Sequence, residues 1–167
     1  MIENIIIENY KSIKYLELEL KKINILIGSN GVGKSNFISF LEMINAIYYQ
    51  RFGSYTLERG GIDNLLYFGR KQSPYIKGLI DFNNSNAFFF TLKPSQSNKG
   101  YIEECSDYFH YGSDVAKDYS QWQKKNWDNA VEELGLKDNK MSRANYLQEY
   151  LESFIVYHFH DTTRSSA

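Results

Sequence analysis

A single cysteine, Cys105, stands among 167 residues. No internal disulfide can form, which excludes a disulfide-stapled miniprotein and points to a reducing compartment. Two prolines and eleven glycines are too few for a collagen-like chain. Neither sign of charge dominates: 19 basic residues stand against 20 acidic ones, a formal net charge of −1. This removes the simplest argument for a general nucleic-acid binder, although a local basic groove stays open. No run approaches the roughly 18 apolar residues of a membrane span. The opening Met1-Ile2-Glu3-Asn4 has no basic cluster ahead of an apolar stretch, so no signal peptide is expected and the expected location is cytoplasmic. With 43% hydrophobic residues, the chain is neither disordered nor of low complexity, and its length suits one core.

The first 28 residues read as strands. Asn4 to Asn9 carries Ile5-Ile6-Ile7, and Leu16, Leu18 and Leu20 alternate with Glu17, Glu19 and Lys21. Period two with charges on one face predicts a half-exposed antiparallel strand. Ile23–Ile27, apolar apart from Asn24, predicts a buried central strand running into Gly28. Phe37, Phe40, Leu41, Ile44 and Ile47 or Tyr48 recur at helical spacing from Lys34 onward, with Gly53 and Ser54 ending that element. Residues 55–70 read as a loop with one short helix. Tyr75 to Phe82, Ala87 to Leu92 and Gly100 to Phe109 form an expected antiparallel meander, separated by turn residues. Residues 114–134 and 142–153 read as helices, the second capped by Ser142, and Phe154 to Phe159 as a last strand.

Between the predicted central strand and helix stands Gly28-Ser29-Asn30-Gly31-Val32-Gly33-Lys34-Ser35. It matches G-x-x-x-x-G-K-[ST], the phosphate-binding loop. Glycines let the backbone curl so that successive N–H groups face phosphate oxygens. The helix beginning near Gly33 adds the positive end of its dipole. Lys34 supplies a mobile cation for the β- and γ-phosphates, and Ser35 a hydroxyl ligand for Mg²⁺. Four fixed positions alone would recur by chance in roughly 1% of chains this long. The flanking strand and helix patterns sharpen the match.

The loop continues into Asn36, and Ile7-Glu8-Asn9-Tyr10-Lys11-Ser12-Ile13 lies upstream. Together these segments resemble the N-terminal lobe of ABC-type ATPases of the SMC, RecF and OLD kind, AAA-family ATPases of the OLD-like branch. In those proteins a segment I-x-N-[FY]-[KR]-S-[IF] precedes the loop. The resemblance covers residues 2 to about 47, and Val156 to Thr163 looks like a segment of the OLD-like branch. It implies an α/β fold: a P-loop NTPase lobe with a parallel core strand and helix, an antiparallel β-subdomain and an incomplete sheet. Residues 1–54 would be the phosphate-loop lobe, 75–111 the antiparallel block and 114–153 a helical segment, all within the N-terminal part of one ATPase domain. It also implies that Lys11 and Ser12 lie beside the nucleotide, that Asn30, Gly31, Val32, Gly33, Lys34, Ser35 and Asn36 bind ATP, and that Ser35 holds Mg²⁺. The full-length parent would hydrolyse ATP as a homodimer formed through the nucleotide, with DNA or a nuclease as further partner and no membrane.

Hydrolysis in this class needs a second site, four apolar residues ending in Asp-Glu, and no such stretch exists. Asp81 after Gly78-Leu79-Ile80 is the nearest approach, but Phe82 follows it. The serine-glycine signature is absent too, so the chain reads as part of a longer ATPase with little turnover of its own. His160 or Asp161 could stand near the γ-phosphate at a strand end, and with His158 they form a weak metal-site pattern. Gln72 is a weaker candidate for the same polar role. Arg70, Lys71, Lys77, Lys93 and Lys99 read as a solvated surface before a basic patch. Trp122, Trp127 and Tyr119 read as the core or partner-facing side of a helix. A GTPase would need N-K-x-D, which is missing, and a kinase lid rich in arginine is hard to build from five arginines. A non-catalytic nucleotide-binding chain is the other reading left open.

Overall fold

The computed structural model describes residues 2–82, 86–109, 119, 122–138, 142–152 and 155. Strand β1 (Ile2–Tyr10) and β2 (Ile13–Glu19) form a hairpin in which Tyr10 pairs with Ile13 and Asn4 with Glu19. Helix α1 (Lys34–Tyr48) and the short α2 (Phe52–Glu58) follow. Then come β3 (Ile76–Phe82), β4 (Asn86–Pro94), β5 (Gly100–Phe109), β6 (Gln123–Val131) and helix α3 (Ser142–Glu152). The six strands make one sheet in the order β2-β1-β3-β4-β5-β6, and every neighbouring pair is antiparallel. The α/β class and the open, incomplete sheet agree with a partial P-loop NTPase lobe.

Alternation divides the sheet into two faces. Ile5, Ile7, Ile76, Ile80, Phe88 and Phe90 pack under the buried stripe of α1, which includes Phe37, Phe40, Met43, Ile44 and Ile47. Each such side chain, fully buried, stabilises the fold by about 1.5–3 kcal/mol. Phe40 is the central contact. Its ring stacks on Phe90 at 5.9 Å and meets Tyr10 edge-on at 5.3 Å. Gly78 makes room for it: a Cβ there would collide with the Phe90 ring and lie 2.9 Å from Phe40 Cζ. Close backbone approach at Gly78 therefore seats the helix that carries the loop. The other face holds a smaller cluster of Leu79, Ala87 and Trp122, with Ile6, Phe89, Tyr108 and Tyr119 against it.

Three expectations need correction. Ile23–Ile27 does not form the parallel core strand: no ladder includes it, and Ile23, Ile25 and Ile27 are 82%, 78% and 89% exposed. A buried strand needs a neighbour on its hydrogen-bonding edge, and none of the described residues pairs there. The segment is instead an exposed apolar surface. Part of the expected helix at 114–134 is instead β6, which completes its hydrogen bonds against β5 from Phe109↔Gln123 to Ile102↔Val131; ladder pairing overrides helical spacing. Gly53 and Ser54 lie inside α2, and α1 stops earlier, at Tyr48, with Gln50 just beyond it in a left-handed conformation (φ 56°). Residues 55–70 hold the rest of α2 and a 3₁₀ turn at Ile62–Asn64, in line with the expected loop and short helix. The three antiparallel strands of the expected meander form as β3, β4 and β5, and the expected last helix forms as α3. Phe154 and Val156 to Phe159 lie outside the described residues.

Candidate nucleotide site

The loop meets α1 in a conformation that glycine permits. Gly31 and Gly33 sit at φ 89° and 103°, where a Cβ would be strained. Gly33 is the N-cap of α1 and has no side chain, so no side-chain hydrogen bond caps the helix and no acidic residue stands in its first turn. The first-turn N–H groups and the positive dipole end are therefore available to an anion. The helix proper begins with Phe37 N donating to Gly33 O at 2.9 Å.

Asn30, Gly31, Gly33, Lys34, Ser35 and Asn36 line a concavity of about 250 Å³ at this terminus. Lys34 Nζ folds back over the loop and donates to Gly28 O at 2.5 Å and Ser29 O at 2.7 Å. An ammonium held by two carbonyls at the rim is poised for stronger acceptors such as phosphate oxygens. Val32 is 60% exposed at the loop's crest. A wider groove of about 480 Å³ runs on from Gly33 and Lys34, between Tyr15 and Leu16 of β2 and the exposed Ile25 and Ile27.

The hairpin turn is fastened beside the cradle. Asn36 Nδ2 donates to Ser12 Oγ at 2.7 Å, and Ser12 Oγ lies 3.5 Å from where a Cβ on Gly33 would stand. Lys11 adopts φ 49°, its amide donates to Leu65 O at 2.8 Å, and its Nζ donates to Ser39 Oγ at 2.6 Å. Burial pushes the Lys11 ammonium below the usual lysine range; the nearby Arg59 guanidinium lowers it further and Glu42 opposes this. Ser12, Gly33, Lys34 and Asn36 thus converge, with Ser35 exposed among them, while the Lys11 ammonium turns away to Ser39. The fit for a phosphate ester with Mg²⁺ is good: uncapped N–H groups, a lysine at the rim and a hydroxyl ligand on the same turn.

Other candidates separate from this site. Asp81 is fully buried and accepts from the Tyr119 hydroxyl at 3.1 Å. Its place in β3 alternates with Ile80 and matches Leu79, which puts it on the sheet face away from α1. It is therefore no acidic partner for the loop. Arg70, Lys77 and Lys93 are each paired with a carboxylate, Asp63, Glu8 and Glu103, as a solvated structural surface would be. Trp122 is buried, in the turn before β6 rather than on a helix. His110, His158, His160 and Asp161 lie outside the described residues, and no group of three or more potential metal ligands occurs among those described. Sequence reasoning missed Ser39, Tyr10 and Tyr55. Ser39 could have been found from its four-residue spacing after Ser35; nothing local marks Tyr55.

A family profile described as AAA ATPase domain matches residues 1–156. The chain belongs to the AAA ATPase domain family. Curated proteins give no match. Members of this family generally bind ATP with Mg²⁺. Among the described residues no helix is long and apolar enough to cross a membrane.

Proposed function

We infer that this AAA ATPase domain binds MgATP through Asn30 to Ser35 and serves as the ATP-binding head of an ATPase of the SMC, RecF and OLD kind. The observation that carries the reading is the uncapped, acid-free start of α1 with Lys34 and Ser35 at its mouth. Loop N–H groups and Lys34 would bind the phosphates, Lys34 toward the β- and γ-groups. Ser35 would hold Mg²⁺, which supplies charge neutralisation across those phosphates. Support for the branch comes from the Asn9-Tyr10-Lys11-Ser12 turn, which the Asn36–Ser12 hydrogen bond fastens to the loop's helix.

In this reading the full-length parent dimerises through ATP, in the cytoplasm, and couples hydrolysis to a DNA-linked process such as repair, chromosome maintenance or phage defence, with DNA or a nuclease as partner. His160 and Asp161 stay candidates for the polar residue near the γ-phosphate. A second reading, nucleotide binding without turnover, is favoured for the 167-residue chain itself, because its sequence has no apolar strand ending in Asp-Glu. Positioning without a group to activate water leaves most of the rate enhancement missing. Thermal unfolding of the chain with ATP, with and without Mg²⁺, tests the inference. The melting temperature should rise with ATP and rise further with Mg²⁺, and Ser35→Ala should lose the Mg²⁺-dependent part. No ATP-dependent rise would contradict it.

A further inference from the structure

The hydrogen bonds around Ser39 close into a satisfied cluster. Ser39 follows Ser35 by one helical turn, so the two hydroxyls share a face of α1, about 6 Å apart along its axis. Ser39 Oγ accepts from Lys11 Nζ at 2.6 Å and lies 2.7 Å from the Tyr10 hydroxyl and 3.2 Å from that of Tyr55. Tyr55 donates to the carbonyl oxygen of Ser39 at 2.7 Å, so its own oxygen can accept the Ser39 proton. Lys11 and Tyr10 then donate to Ser39, Ser39 to Tyr55, and Tyr55 to the helix backbone. Arg59 walls the cluster, 3.6 Å over the Tyr55 ring and 3.2 Å from Glu42.

This arrangement holds a cation one turn below the phosphate cradle. The side chain is rooted beside the cradle all the same, because the next residue, Ser12, lies against Gly33. Its backbone is fixed in the left-handed region, sparsely used by non-glycine residues and common at functional turns. A flexible four-carbon stem rooted there can carry the ammonium to either place.

We propose that Ser39 is a positioning residue: its hydroxyl holds Lys11 against α1, a bound triphosphate draws Lys11 off it, and the hydroxyl thereby tempers the site's preference for nucleoside triphosphate over diphosphate. This rests on the nucleotide reading above. Lys11 gives up a charge-assisted hydrogen bond to move. The attraction that offsets the loss grows with the ligand's negative charge, which is larger for a triphosphate.

Equilibrium dialysis of the full chain against ATP and ADP with Mg²⁺ tests this, using Ser39→Ala, Ser39→Thr, Lys11→Met and the Ser39→Ala/Lys11→Met pair. Ser39→Ala should tighten ATP about three- to tenfold and leave ADP within about twofold. Ser39→Thr keeps the hydroxyl and should match wild type. In the Lys11→Met background, Ser39→Ala should change neither affinity. Alanine favours a helix interior, so the key variant retains its fold. Unchanged or weaker ATP binding in Ser39→Ala, or a gain that persists without Lys11, overturns the proposal. If wild type binds both nucleotides and Lys34→Ala binds neither, while Ser39→Ala changes nothing, the nucleotide reading stands and this proposal falls. If wild type binds neither nucleotide, both fall.

Discussion

Asn36 Nδ2 donates to Ser12 Oγ at 2.7 Å, joining the first turn of α1 to the β1–β2 hairpin turn. One residue belongs to the helix that the phosphate loop opens, the other to a turn more than twenty positions upstream in the sequence. The bond makes the hairpin a wall of the proposed nucleotide site rather than a distant strand pair.

Asn36→Ala should therefore loosen that wall without unfolding the protein. The pair is exposed, so the stability cost should stay near 0.5–1.5 kcal/mol. ATP affinity should fall by more than ADP affinity, because Lys11 is anchored on the same turn. Urea unfolding and nucleotide titration of the one variant check both halves.

Gly78→Ala tests the seating of α1. The added methyl meets Phe90 and Phe40 at once, and overpacking of this kind costs about 1–3 kcal/mol. Shortening Phe40 to Leu in the same chain should recover part of that loss. A urea midpoint unchanged by Gly78→Ala would contradict the packing described.

Tyr119 gives a prediction at alkaline pH. Burial pushes its phenol up to about 12; the hydrogen bond from Asn4 pulls the other way, and the Asp81 carboxylate raises it. The neutral phenol is thus favoured in the folded chain. Its contribution is present below the ordinary tyrosine value near 10 and is lost as pH rises from there through about 12. Urea midpoints measured between about pH 9 and 12 should fall less steeply in Tyr119→Phe than in wild type. Buried Tyr10 is shifted the same way, so a decline remains.

Much of this was legible in the sequence, and the failures share a cause. Local signals sufficed where one short stretch carries its own reason. The glycines and Lys34-Ser35 mark the loop, the 3.6 period marks α1 from Lys34 to Tyr48, and turn residues separate β3, β4 and β5. Ile23–Ile27 has a strand's composition yet forms none, because a strand also needs a partner edge, which composition does not reveal. Residues 123–131 reverse the case: Trp127 and Val131 sit at helical spacing, but the open edge of β5 claims the backbone. The Lys11–Ser39–Tyr55 cluster was invisible because it joins positions 28 and 16 apart.

Phosphate release by the purified chain should be negligible, since no acidic pair follows an apolar strand in its sequence. Steady release that disappears in Lys34→Ala would show that an activating carboxylate lies within these residues.

The central claim is that the loop from Gly28 to Ser35 binds MgATP and that Lys34 is indispensable to it. Isothermal titration of wild type and Lys34→Ala with ATP in the presence of Mg²⁺ is the most direct test. The account predicts saturable binding by the wild-type chain and none detectable in the variant, which keeps the loop's backbone dipoles but loses its full charge. Equal ATP affinity in the two proteins would contradict it.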